Sequence, residues 1–90
     1  MHFTWDTRKA LANLRRHAVA FEEASSVLTD HLAVTGFDPD HSVGESRWIT
    51  FGHSLAGRLL AVSHTESGDM IRIISAREAT RSERKIYEEG

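Results

Sequence analysis

Apolar residues recur along this chain with two different periods, and the change between them divides it into helical and extended parts. Between Thr7 and Arg16, the positions Ala10, Leu11 and Leu14, continued by Ala18, form one stripe at helical spacing, while Arg8, Lys9, Arg15 and Arg16 stay largely outside it. Asp6 stands where a helix N-cap belongs, and the cations of the last turn suit the helix dipole. This pattern predicts a first helix over 7–16. After the short link His17-Ala18-Val19, the residues Phe21, Ala24, Val27 and Leu28 share a face and predict a second helix over 21–28. Helices this short are not stable alone, so both must press on another layer.

That layer reads as a sheet. Ala33–Thr35, Arg47–Phe51, Arg58–Thr65 and Met70–Ile74 are strand-like runs separated by the turn-rich segments Gly36–Gly44, Gly52–Gly57 and Glu66–Asp69. Hairpin-like connections in succession predict a four-stranded antiparallel meander, one face of it covered by helices. His2–Trp5 reads as an extended lead-in with buried aromatics. Beyond Ile74 the pattern changes. Ser75-x-x-Glu78 has the form of a capping box, which predicts that the last strand feeds directly into a C-terminal helix. On that helix Arg77, Arg81, Arg84 and Lys85 fall on one arc, opposite Ala76, Ala79, Ile86 and Tyr87. The arc is either a solvated basic face or an anion-binding one. The expected fold class is therefore α+β, with two N-terminal helices, a four-stranded antiparallel sheet and a C-terminal helix.

Composition narrows the reading. Ninety residues, 40% of them apolar and 27% charged, fit one folded domain over 1–90. The chain has no cysteine, which excludes disulfides, thiolate chemistry and cysteine-based zinc sites. The longest apolar run, Leu59-Leu60-Ala61-Val62, is far too short to span a bilayer, so a soluble cytoplasmic protein without membrane attachment is expected. The formal charge of −2 is unevenly spread. Residues 1–17 carry Arg8, Lys9, Arg15 and Arg16 against Asp6 alone, whereas residues 18–44 carry Glu22, Glu23, Asp30, Asp38 and Asp40 and no Lys or Arg. The arrangement in space, not the net charge, decides the partner. The six histidines show no i, i+4 or H-x-H pairing, and no Gly-rich phosphate loop exists, so neither a metal nor a cofactor is expected.

Several segments share one likeness. Trp5-Asp6-x-x-Lys9-Ala10-x-x-Asn13, His17 with Phe21-Glu22-Glu23-Ala24, Glu45-x-Arg47-Trp48 with Gly52, Arg72-Ile73-Ile74-Ser75-Ala76-Arg77, and Glu83-Arg84-x-x-Tyr87 together resemble the BrnT family of bacterial toxins, in order along nearly the whole chain. Ala18 and Ala20 depart from it, since the family tends to have Gly after the histidine and a capping residue before the Phe. Both departures bear on helix ends rather than chemistry. The resemblance implies a RelE-like fold, ribonuclease activity against RNA, and neutralisation by a cognate antitoxin. That antitoxin is usually of BrnA type with a ribbon-helix-helix part, through which alone DNA is reached.

The residues can be weighed for that chemistry directly. A ribonuclease working without a metal needs a base for the 2′-hydroxyl, cations for the charge building on the phosphate, and an acid for the leaving 5′-oxygen. The planar guanidinium fork suits the middle task, and Arg47, Arg72 and Arg77 are the candidates. Arg72 and Arg77 are an odd number of residues apart, so on an unbroken strand they would face opposite sides unless the chain turns at Ser75. The alternative for each arginine is a salt bridge to Glu45, Glu66 or Glu83.

For proton transfer the candidates are His17, Glu45 and Tyr87, His64 reading as structural. His17 equally suits a helix end, Glu45 an ion pair with Arg47, and Tyr87 core packing. Trp5 and Trp48 either stack on bases or fill the core. Arg81, Arg84, Lys85 and Lys9 are the candidates for holding the RNA backbone. A second class of function stands beside the nuclease: a non-catalytic subunit that caps its antitoxin in a DNA-bound repressor complex.

Overall fold

A computed structural model describes residues 1–90. Strand β1 (His2–Thr4) is followed by helices α1 (Thr7–His17) and α2 (Phe21–Val27), then by strands β2 (Val34–Phe37), β3 (Trp48–His53), β4 (Leu59–Ser67) and β5 (Met70–Glu78), and by helix α3 (Arg81–Glu89). A single 3-10 turn, Pro39–His41, interrupts the β2–β3 loop. Asp6 caps α1 as expected, its carboxylate accepting the Arg8 and Lys9 amides at 2.8 and 3.1 Å. Ala18, just past α1, has φ 58°, the left-handed conformation that favours glycine.

The sheet has five strands in the order β1-β5-β4-β3-β2. Strands β2 to β5 form the expected antiparallel meander, but β1 pairs parallel to β5, in the register Phe3 with Ile71 and Thr4 with Arg72. The expectation of four antiparallel strands is corrected to a mixed five-stranded sheet. A three-residue strand is too short to show a period, and its partner lies at the far end of the chain with no turn between them to read. What fixes the pairing is burial: it seats Phe3 and Trp5 against the core, with the Trp5 and Phe21 rings edge to face at 6.0 Å.

Helices α1 and α2 cover one face of the sheet. There Val19, Phe21, Ala24 and Val27 meet Leu60, Val62, Ile71, Ile73 and Ala76 in one continuous cluster. Gly52 allows α2 to come this close, because a Cβ at that position would lie 3.1 Å from both Val27 and Ala33.

The strand-to-helix junction also differs from the expectation. β5 runs through Ser75 and on to Glu78, so Arg77 lies on the strand, and the capping box is formed by Thr80 and Glu83. The sequence offers the same S/T-x-x-E pattern twice, at Ser75 and at Thr80. The ladder to β4 decides between them: Ser75, Ala76, Arg77 and Glu78 pair with Ser63, Val62, Ala61 and Leu60, and a helix begun at Ser75 would leave that buried part of β4 without a partner.

On its other side β5 is covered by β1 only as far as Arg72. The side chain of Asn13 takes over from there. Its amide donates to the Ala76 carbonyl at 2.8 Å and to the Val19 carbonyl at 3.0 Å, and its carbonyl accepts the Ala76 N–H at 3.1 Å. A carboxamide carries the same donor and acceptor as a peptide group, so Asn13 satisfies the strand edge as a neighbouring strand would. With 7% of its surface exposed, it also fixes α1 along β5.

Between β2 and β3 the hydroxyls of Thr35 and the buried Thr50 lie 2.7 Å apart, and Thr50 lies 2.7 Å from Nε2 of the buried His64. The Nδ1 of His64 has no hydrogen-bond partner. Burial pushes the imidazole pKa down, and the charge of Glu66 opposes this only in part.

Two outcomes follow. Asn13→Ala leaves three buried backbone groups unpaired and is expected to lower the urea-unfolding free energy by about 2–3 kcal/mol, whereas a loss below about 0.5 kcal/mol would mean the clamp is dispensable. His64 is held neutral in the fold, so its contribution is present above the unfolded value of about 6.5 and is lost as pH falls below it. The melting temperature should therefore drop between about pH 7 and pH 5, and drop less in His64→Leu. An equal drop in both proteins would assign the acid sensitivity elsewhere.

Candidate active site

The sheet face away from α1 and α2 carries a cleft of about 400 Å³. Its floor is a cross-strand row made by Ile49 on β3, Ser63 on β4 and Ser75 on β5, which are direct neighbours in the ladder. Beside the row the register slips by one residue: Ser63 pairs with Ser75 but His64 pairs with Ile73, leaving Ile74 as a bulge. The bulge solves the parity problem of Arg72 and Arg77. They pair with Thr65 and Ala61, four residues apart on β4, and so lie on the same face.

Arg77 enters the cleft from β5. Its Nη1 and Nη2 donate to Glu83 at 2.7 and 2.9 Å, and this pairing raises the Arg77 pKa and holds the Glu83 carboxyl below the usual carboxylate range. Glu83 also accepts the Thr80 N–H at 2.9 Å as part of the α3 capping box, so the helix start and the arginine are fixed by one carboxylate. The end-on pairing leaves the Nε–H and one Nη2–H of Arg77 without a protein partner.

Opposite stands Arg47, at the end of the β2–β3 loop and with no carboxylate partner. The loop is closed by Ser42, whose hydroxyl donates to the Asp38 carbonyl at 2.6 Å and accepts the Arg47 N–H at 2.9 Å, and by the Asp38 N–H donating to the Arg47 carbonyl at 2.9 Å. The 3-10 turn between them starts at Pro39, whose fixed φ suits it, and ends at His41. That turn brings His41 back over Asp38, with Nδ1 at 2.9 Å from the Asp38 carboxylate. Asp38 is the better buried of the two, at 20% side-chain exposure against 65%. A carboxylate on Nδ1 keeps the proton there and leaves Nε2 to exchange one with a ligand.

Two guanidinium groups, a carboxylate-held imidazole and two serine hydroxyls thus border one recess. Such a set can hold a tetrahedral oxyanion and move a proton beside it. No group of three or more His, Asp or Glu side chains gathers to hold a metal.

The expected site residues divide. Arg47 and Arg77 are brought together. Arg72 lies on the same face but is bound to Glu45, outside the cleft, so Glu45 pairs with Arg72 rather than Arg47. His17 and Lys9 line an adjoining cleft. The hydroxyl of Tyr87 donates to Asp30 at 2.7 Å, and its ring meets His53 edge to face at 4.9 Å. Burial would raise the Asp30 carboxyl, but the amides of His53 and Leu32 and the Tyr87 hydroxyl outweigh it and hold the carboxyl low, which in turn pushes the Tyr87 pKa up. Arg81, Arg84 and Lys85 are exposed on α3 without carboxylate partners. Trp5 belongs to the core, and Trp48 packs edge to face on Phe37 at 5.2 Å.

Sequence reasoning missed Asp38, His41 and Ser42. The signal was the spacing Asp38-Pro39-x-His41-Ser42, in which a proline-started turn returns a histidine over an aspartate three residues before it.

Comparison with known proteins bears on what this recess does. A family model described as the ribonuclease toxin, BrnT, of type II toxin–antitoxin systems matches residues 5–83. Among solved structures, that of the Brucella abortus ribonuclease toxin BrnT superposes with a TM-score of 0.64 over 90% of this chain and 99% of that one, at 21% identity. The two chains share a fold, which is described more closely by that likeness than by the broader RelE-like label. No curated protein sequence matches the chain.

Proposed function

This chain belongs to the BrnT family of ribonuclease toxins of type II toxin–antitoxin systems, and on that premise we propose that it is an endoribonuclease acting without a metal ion. In this reading the RNA 2′-hydroxyl attacks the adjacent phosphorus, the bond to the 5′-oxygen breaks, and a 2′,3′-cyclic phosphate is left behind. Arg47 and the free side of the Arg77 fork stabilise the charge on the phosphate oxygens. His41, held by Asp38, exchanges one of the two protons. The other transfer falls to Glu45, His17 or Tyr87, of which His17 alone lines a cleft adjoining this one. Arg81, Arg84, Lys85 and Lys9 attract the RNA backbone at long range, while Arg72, held by Glu45, is left a structural part.

The observation that carries the reading is the meeting of Arg47, Arg77 and the His41–Asp38 pair in one recess. These groups supply charge and proton transfer from side chains alone. A BrnA-like ribbon-helix-helix antitoxin is the proposed partner: an acidic segment laid over the recess blocks RNA, and DNA is reached only through the antitoxin. The proposed compartment is the cytoplasm, where both RNA and antitoxin are made. One observation favours the second reading, a non-catalytic subunit that caps its antitoxin: Glu83 already neutralises half of the Arg77 fork.

RNA incubated with the purified chain in EDTA separates these readings. Cleavage is expected to persist, and to fall by about 100-fold or more in Arg47→Ala and in His41→Ala at unchanged melting temperature. Cleavage abolished by EDTA would overturn the metal-free mechanism. Cleavage at the wild-type rate by both variants would remove these residues from the site, and no cleavage by the wild-type chain would favour the capping role.

A further inference from the structure

The recess of Arg47 and Arg77 does not end at Ser75. On the far side of Ile74 and Ser75, a second cleft of about 200 Å³ opens between α1 and β5, and these two residues wall both. Its other side is formed by Lys9, Arg16 and His17, with Asn13 among the lining residues. Lys9, Asn13 and Arg16 follow one another at helical spacing along α1, so the clamp that ties Asn13 to Ala76 also sets the two cations along the edge of β5.

The charges in this second cleft are left uncompensated. Lys9 and Arg16 are exposed, neither has a carboxylate within ion-pair distance, and no acidic side chain lines the cleft. Other arginines beside the sheet are neutralised: Arg58 is held by Glu23, and Arg72 by Glu45. Two cationic recesses thus meet across a low saddle made by a bulged isoleucine and a serine. A single small anion would fill one of them. A polyanion with phosphates repeated along a flexible chain fills both, and the uncharged saddle lets it pass between them.

We infer that the α1–β5 cleft is a second phosphate subsite, in which Lys9 and Arg16 hold the RNA backbone adjoining the scissile bond, so that the strand crosses the bulge at Ile74 and Ser75 rather than following α3. The inference rests on the ribonuclease reading above and adds the path of the substrate to it. Arg16 is the new binding residue, and His17 sits where a strand taking this path passes.

The test is fluorescence anisotropy of single-stranded 2′-O-methyl RNA oligonucleotides of increasing length, which cannot be cleaved, measured over a range of salt. Wild-type affinity is expected to rise with length. Lys9→Gln together with Arg16→Gln, which keep helix propensity and leave the core untouched, should remove most of that rise. The double variant should also reduce the slope of log affinity against log salt by about 1.4, the loss of two backbone contacts on a single strand. Wild-type slope and wild-type length dependence in the double variant would overturn the subsite. So would a larger loss of the length gain in Arg84→Gln with Lys85→Gln, which would route the strand along α3. A wild-type chain that binds no RNA at any length would overturn the ribonuclease reading itself, and the subsite with it.

Discussion

The pairing of the Asn13 side chain with the backbone of Ala76 is the constraint on which the arrangement of this molecule depends. β1 is too short to cover the whole edge of β5, and an uncovered buried edge leaves peptide groups unsatisfied. One carboxamide meets that need, and it does so from a helix. As a result α1 lies along the strand beside the bulge, and its cations stand next to residues that also border the cleft on the outer face. A requirement of hydrogen bonding at the sheet edge thereby becomes the geometry of a candidate RNA-binding surface.

Electrostatics reinforces this placement. Four carboxylates of the chain are spent on fixed structural tasks: Glu23 holds Arg58, Glu45 holds Arg72, Asp30 ties the end of β3 to α3 through the His53 amide and Tyr87, and Glu83 caps α3 while holding Arg77. The cations left over are Arg47, Lys9 and Arg16 around the two clefts and an exposed set on α1 and α3. A chain with a formal charge of −2 can still leave cations unpaired at these two clefts, because no carboxylate other than Asp38 lines either of them. Asp38 is the exception inside the cleft, and it faces His41 rather than the arginines.

Much of this was legible in the sequence. The Asp6 cap, the apolar face of α2 and the turns of the meander are local signals, and each formed where its residues pointed, but the apolar stripe of α1 is not its buried face: Leu11 and Leu14 stay about half exposed, and Asn13 is the α1 residue buried against the sheet. What was not legible depends on contacts distant in sequence. The parallel pairing of β1 has no local signature. The choice between the capping boxes at Ser75 and Thr80 turns on β4, which needs Ala76 and Arg77 as ladder partners. The bulge at Ile74 follows from the same ladder, and with it the shared face of Arg72 and Arg77. Of the site, the pair Arg47 and Arg77 was reachable from residue type alone. The His41–Asp38 pair lay in a loop read only as turn-rich, because its function arises from how Pro39 and Ser42 fold the loop back on itself.

The central claim is that an RNA phosphate rests over the Ile49–Ser63–Ser75 row, between Arg47 and Arg77. It is tested most directly by following the backbone amide signals of the isotope-labelled protein as a short RNA with a 2′-deoxy sugar at the cleaved position is added. The account predicts saturable shifts at His41, Arg47, Ser63, Ser75 and Arg77. Shifts confined to α3, or to the Arg72–Glu45 end of the sheet, with the Ser63 and Ser75 signals unmoved, would contradict it.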